Sequence, residues 1–210
     1  MAQCPLCSER AAKRYCPAKE VRICAVCCGT KREIEIDCPF DCTYLKAAYS
    51  YEAEKLVPDP ELVSRVQRFD DEFLYRYSPV LDTISRSIVE ERANSDWLMD
   101  LDVIEVFKSL SATMKTLSSG IYYESLPEGP VRLSLFRRLK ELLDHLMEPT
   151  AEADRSALKV SEAVDILDFL TVAAQMKSSV RPKSRRYLNW LSGMAAQVPP
   201  AEESSGLVIP

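Results

Sequence analysis

The sequence predicts a mostly α-helical protein, in which a small cysteine-rich N-terminal unit (a short β-hairpin plus a helix) precedes an all-α bundle. Three observations lead there. All eight cysteines fall between residues 4 and 42. From about residue 59 onward, Leu, Ile, Val and Phe recur at the spacing of amphipathic helices. Glycine is scarce, with 5 residues in 210, which disfavours a turn-rich all-β fold. The expected organisation is a cysteine-rich domain over 1–57, a helical domain over 58–197 with Pro58-Asp59-Pro60 at its start, and a disordered tail over 198–210 rich in prolines, small residues and acids.

The cysteines are spaced Cys4-x2-Cys7, Cys16, Cys24-x2-Cys27-Cys28 and Cys38-x3-Cys42. The N-terminus has no apolar signal core, and no apolar run approaches the roughly 18–20 residues that span a bilayer. A cytoplasmic protein without membrane association is therefore expected, in a reducing compartment where disulfides are rare. Clustered cysteines there point to metal. A C-x2-C knuckle turns two sulfurs toward one ion, and eight thiols suffice for two tetrahedral four-cysteine Zn²⁺ sites. Iron–sulfur clusters also take four cysteines, but the C-x2-C-x2-C ladder of bacterial ferredoxins is absent.

Val21-Arg22-Ile23 and Ile34-Glu35-Ile36 alternate apolar and polar, so they read as a hairpin turning at Cys27-Cys28-Gly29-Thr30. Asp41 is placed to cap a helix from Cys42 through Tyr44, Leu45, Ala48 and Tyr49. The run Cys4-Pro5-Leu6-Cys7, Tyr15-Cys16-Pro17, Ile23-Cys24 with Cys28, and Cys38-x3-Cys42 resembles HIT-type and MYND-type zinc fingers over residues 4–45. Those fingers usually carry a cysteine three positions after Cys16, where this chain has Lys19. The adjacent pair Cys27-Cys28 offers a replacement. The resemblance implies two zinc ions in a cross-brace. One would sit on Cys4, Cys7, Cys24 and one of Cys27 or Cys28, the second on Cys16, Cys38, Cys42 and the other. It also implies a module that recruits partner proteins.

In the remainder, one helix is expected near 60–77, with Ser78-Pro79 either kinking it or starting the next. Ser95 is expected to cap a helix to about 118 with Trp97, Leu101, Ile104, Phe107, Leu110 and Met114 inward and Gly120 as its left-handed stop. Ile121–Pro130 reads as a loop. Further helices follow to about 147 (Leu135, Leu139, Leu142, Leu146 inward), over 156–178, and to about 196 with Tyr187, Leu188, Trp190 and Leu191.

No catalytic constellation emerges. The single histidine, His145, lies among charges off the leucine face, and there is no Glu-x-x-His, P-loop or G-x-S-x-G. Catalytic zinc keeps an open position, whereas eight cysteines fill two closed sites. The expected function is a non-enzymatic, zinc-binding protein-interaction adaptor. The alternative is nucleic-acid binding through Arg14, Lys31, Arg32, Lys183, Arg185 and Arg186, with Tyr187 and Trp190 beside the second cluster. Against that stands a net charge of −5. The finger cations also have a local task, since eight thiolates on two divalent ions leave about four negative charges to balance.

Overall fold

The computed structural model describes residues 2–55, 57, 59–149 and 157–195. The expected tail over 198–210 lies outside them. Among the described residues the protein is mostly helical, with eight helices and one small antiparallel hairpin. No described helix is long and apolar enough to cross a membrane.

The hairpin pairs β1 (Arg14–Cys16) with β2 (Val21–Ile23) in the register Arg14↔Ile23 and Cys16↔Val21. It therefore precedes Cys24. The stretch expected to be its turn is instead α1 (Ala25–Lys31), and Ile34–Ile36 contributes only a bridge from Ile36 to Arg32. The cause lies in Cys24, whose sulfur accepts from the Cys27 N–H at 3.3 Å and so serves as the N-cap. α2 (Thr43–Lys55) follows. Its first turn is closed by the Cys42 carbonyl, which accepts from Lys46 N–H at 3.0 Å, and Asp41 makes no capping bond among the described residues.

α3 (Pro60–Val66) is capped by Asp59, and α4 (Asp71–Asn94) by Asp70, whose Oδ1 accepts from Phe73 N–H at 2.8 Å. The expected helix over 60–77 is thus divided, because an Asp side chain that captures a downstream N–H starts a new helix. Pro79, by contrast, lies within α4. Proline lacks the N–H that would reach the Tyr75 carbonyl. Ser78 Oγ supplies the donor at 3.0 Å, so the helix continues.

α5 (Asp100–Ser118) begins later than expected. Ser95 ends α4, and Asp102 Oδ2 accepts from Met99 N–H at 3.0 Å to fix the start of α5. Trp97 consequently sits between helices and is 73% exposed rather than inward. At the other end, Gly120 (φ 77°) donates to Leu117 O and Ile121 N–H to Thr116 O, the paired bonds of a Schellman stop. α6 (Pro130–Met147) starts behind Gly129 and proline, and Arg132 Nε holds it to α5 through Asp102 at 2.7 Å. α7 (Val160–Lys177) and α8 (Arg186–Ala195) complete the bundle.

The main core gathers Ile84 and Ile88 of α4, Phe107, Leu110 and Met114 of α5, Leu135, Phe136 and Leu139 of α6, Ile166 and Leu167 of α7, and Tyr187 and Leu188 of α8. A second, separate core consists of Cys4, Cys16, Ile23, Cys24, Cys27 and Ile36. The leucine-face expectations for α6 hold at Leu135 and Leu139; Leu142 and Leu146 are half-buried, and Phe136 and Leu143 fill the rest of the face. Trp190 of α8 is 38% exposed.

Candidate metal centre

The sulfurs of Cys4, Cys7, Cys24 and Cys27 all lie within 4.8 Å of one another, and this four-thiol cluster can hold a metal ion. Two local structures bring them together. In the first, Cys7 N–H (3.3 Å) and Ser8 N–H (2.7 Å) both donate to the Cys4 carbonyl, folding the knuckle back on itself with Ser8 in the left-handed region (φ 55°). In the second, Cys24 stands at the N-cap of α1 and Cys27 in its first turn, so their side chains share one face. Cys28, one residue further, is turned about 100° around the helix. Helix geometry therefore settles the choice between Cys27 and Cys28 at this cluster. Cys7 Sγ and Cys24 Sγ are 4.0 Å apart.

The electrostatics of the cluster show what it lacks on its own. Burial raises the Cys4 thiol, but the backbone amides of Cys24 and Leu6 and the thiols of Cys24 and Cys7 outweigh it and hold Cys4 down at about 6. Cys7 is lowered too, by the amides of Glu9 and Arg10. Cys27 goes the other way: burial, then the neighbouring sulfurs of Cys24, Cys7 and Cys4, push it up to about 12. Four thiols at this spacing cannot all ionise unaided, and a divalent cation bound among them would supply the missing charge.

Cys16, Cys38 and Cys42 form a looser neighbourhood. Burial pushes the Cys38 thiol up to about 11, the Glu33 amide acts in the opposite sense, and charge on Cys42 and Cys16 raises it further. Cys28 is half-buried against the same small core.

Set against protein-family models, curated proteins and solved structures, the chain matches none.

Apart from Arg32, whose buried Nε has no hydrogen-bond partner among the described residues, the sequence-selected cations are engaged within the fold. Arg14 lies over the Tyr44 ring at 4.8 Å, and Lys31 pairs with Glu35. Arg32 is buried. Lys183 donates its backbone N–H to Glu33 O at 2.8 Å and its Nζ to Glu35 O at 3.3 Å. Arg185 grips Asp37 with both guanidinium nitrogens, and Arg186 stacks over Tyr49 at 5.1 Å near Glu52. His145 is exposed and pairs loosely with Glu148 at 3.9 Å.

Two residues outside the sequence-derived candidates organise this region. Arg181 Nη1 donates to Arg32 O at 2.7 Å and Gly29 O at 3.2 Å, satisfying carbonyls at the C-terminal end of α1. Asp100 is fully buried, and its carboxylate accepts from Ser178 Oγ (3.1 Å), Ser184 Oγ (2.8 Å), Tyr187 N–H (3.1 Å) and Leu188 N–H (3.1 Å). It thus caps the N-terminus of α8 from a different helix and fixes the loop that carries Arg181 and Arg185. No local motif announces either role, since their partners lie 78 to 152 positions away in sequence.

Proposed function

We propose that this protein is a non-enzymatic, zinc-binding adaptor that recruits other proteins, built on a HIT/MYND-like two-zinc finger. The observation that carries the reading is the closed set Cys4, Cys7, Cys24 and Cys27. Four thiolates complete a tetrahedral shell and leave no position for a reacting water. Zinc fits the spacing. A 2.3 Å Zn–S bond in a tetrahedron places sulfurs about 3.8 Å apart, close to the 4.0 Å between Cys7 and Cys24. A four-iron cluster takes one thiolate on each iron and spreads its ligands wider. The second ion is assigned to Cys16, Cys28, Cys38 and Cys42, which drawing in by the ion would complete.

The engagement of Lys183, Arg185 and Arg186 with a carbonyl, Asp37 and Tyr49, and the burial of Arg32, favour protein recruitment over nucleic-acid binding. Polyanion binding needs cations free to meet phosphates.

Native mass spectrometry of protein purified without added metal tests the cofactor, with two zinc ions per chain expected. Cys24→Ser is expected to abolish the first site and, in affinity capture, to lose the partners that the wild-type chain retains. An iron–sulfur mass, or partner capture indifferent to Cys24→Ser, overturns the reading.

A further inference from the structure

A groove of about 470 Å³ opens between α4, α7 and α8. Its walls are apolar, with Leu74 and Leu81 from α4, Phe169 from α7, and Trp190, Leu191 and Met194 from α8. The charged residues of the lining, Asp82 and Arg86, pair with each other at 2.9 Å. Leu74, Trp190 and Met194 remain exposed in it. Tyr187 also lines the groove, itself buried and stacked on Trp190 with 5.9 Å between ring centroids. The Tyr187 hydroxyl has no hydrogen-bond partner among the described residues and is not sealed from solvent. It lacks the polar partner that buried hydroxyls normally find.

α8 ends on this groove, since its last two residues, Met194 and Ala195, line it. The sequence that follows, outside the described residues, has two parts. Residues 196–206 are polar, small or proline apart from Val198, and Leu207-Val208-Ile209 then stand together as three branched aliphatic residues. A coil of the length of 196–206 reaches about 17–20 Å. The groove follows α8 from Tyr187 to Ala195, about 12 Å at the helical rise. A segment tethered at that reach is presented to the groove at a roughly millimolar effective concentration. The tether carries Glu202 and Glu203. Lys177, whose ammonium lies 5.3 Å from the Trp190 ring, has no ion pair among the described residues and puts a positive charge at the rim.

We infer that this groove receives the chain's own Leu207-Val208-Ile209, folded back in extended form along α8. Val208 and Ile209 are β-branched and favour that form. Its alternation sends Leu207 and Ile209 to one side, against Leu74 and Trp190, and Val208 to the other. The extended backbone brings a carbonyl to accept from the Tyr187 hydroxyl, which apolar side chains alone would leave unpaired. A segment of the same character from another molecule has to displace a ligand already held at the tether's effective concentration. The contact is independent of the metal and of what the finger recruits.

The test uses the full chain with its metal and follows indole N–H signals in proton–nitrogen correlation spectra. Trp190 reports the groove, and Trp97, which lies outside it, is the internal control. Leu207→Ser with Ile209→Ser is expected to displace the Trp190 signal and leave Trp97 in place. Ser204→Ala with Ser205→Ala, in the tether, is expected to move neither. Leu74→Asp puts a charge on the facing wall at an exposed position, so the fold tolerates it. In that background the Leu207 and Ile209 substitutions are expected to lose most of their effect on Trp190, because the segment is already released. Tenfold dilution of the wild-type chain is expected to leave Trp190 in place, as a contact within one chain requires. Four results overturn the inference: a Trp190 signal indifferent to the Leu207 and Ile209 substitutions, an equal response to the tether control, a displacement undiminished by Leu74→Asp, or a position that follows concentration, the mark of a second copy's segment.

Discussion

Replacing Asp100 by alanine is expected to be the most damaging single carboxylate change in the bundle. The carboxylate is wholly shielded from water and receives two hydroxyls and the backbone N–H groups of Tyr187 and Leu188. The hydroxyls of Ser178 and Ser184 can turn to other acceptors. The two amides at the start of α8 cannot, and a buried donor left without a partner costs about 1–3 kcal/mol. Loss of a negative charge at a helix N-terminus adds about 0.5–1 kcal/mol. With each amide in the lower half of that range, the two amides and the charge together give a loss of about 3–5 kcal/mol, a large part of the roughly 5–15 kcal/mol that holds a domain folded. With a urea m-value of about 2 kcal/mol/M, the unfolding midpoint followed by far-ultraviolet circular dichroism should fall by about 1.5–2.5 M. Asp100→Asn keeps one acceptor oxygen for the amides and should lose about 1–2 kcal/mol. A midpoint for Asp100→Ala within about 0.3 M of wild type would refute the capping role. Equal losses in the two variants would assign the effect to charge rather than to satisfied donors.

Three further outcomes are expected. Arg181→Ala frees the carbonyls of Gly29 and Arg32 at the end of α1, so zinc should pass to a competing chelator several-fold faster than from wild type, while the stoichiometry at rest stays the same. Glu33 is a buried carboxyl whose pKa burial raises above 4.5, although the Tyr49 hydroxyl and Arg181 oppose the shift. A raised carboxyl pKa contributes stability at low pH that is lost as pH climbs through the folded-state value. Glu33→Gln, which can still accept from Tyr49, should therefore gain on wild type in thermal midpoint as pH rises from 4.5 toward neutrality; a variant that falls further behind over that range contradicts this. Cys28→Ser should leave one zinc per chain, held by the Cys4 cluster, whereas Cys27→Ser should disturb that cluster itself; native mass spectra of the two variants distinguish them.

Composition and spacing made the broad architecture readable, and the misses have physical causes. The clustering of Cys4, Cys7 and Cys24 follows from the knuckle and from the position of Cys24 ahead of α1. The choice of Cys27 over Cys28 needed the helix. The alternating residues at 21–23 and 34–36 looked equally strand-like, and only the first finds a partner, because Cys24 caps a helix where a turn was expected. Helical spacing alone puts Ser95 and Trp97 on the wrong side of a helix boundary. An aromatic at helical spacing looks inward until the Asp102 side chain, accepting from Met99 N–H, moves the start of the helix past it. Asp100 was invisible for another reason. Beside Asp102 and Leu101 it reads as a surface acid, and its partners at 178–188 are supplied by the tertiary fold.

The Arg181 clasp on α1 also bears on the order in which the chain is made. Its two ends, Arg32 and Arg181, are 149 residues apart. At about 5–20 residues per second of synthesis, the cysteine unit leaves the ribosome about 7–30 s before the residue that seals it. A metal ion taken up by the nascent thiols would therefore meet an α1 whose carbonyls are still open, and the segment carrying Arg181 would close them later. A chain that stops after Lys177 would keep every cysteine and lose the groups that close α1, so damage far from the metal would surface as a fault in metal retention.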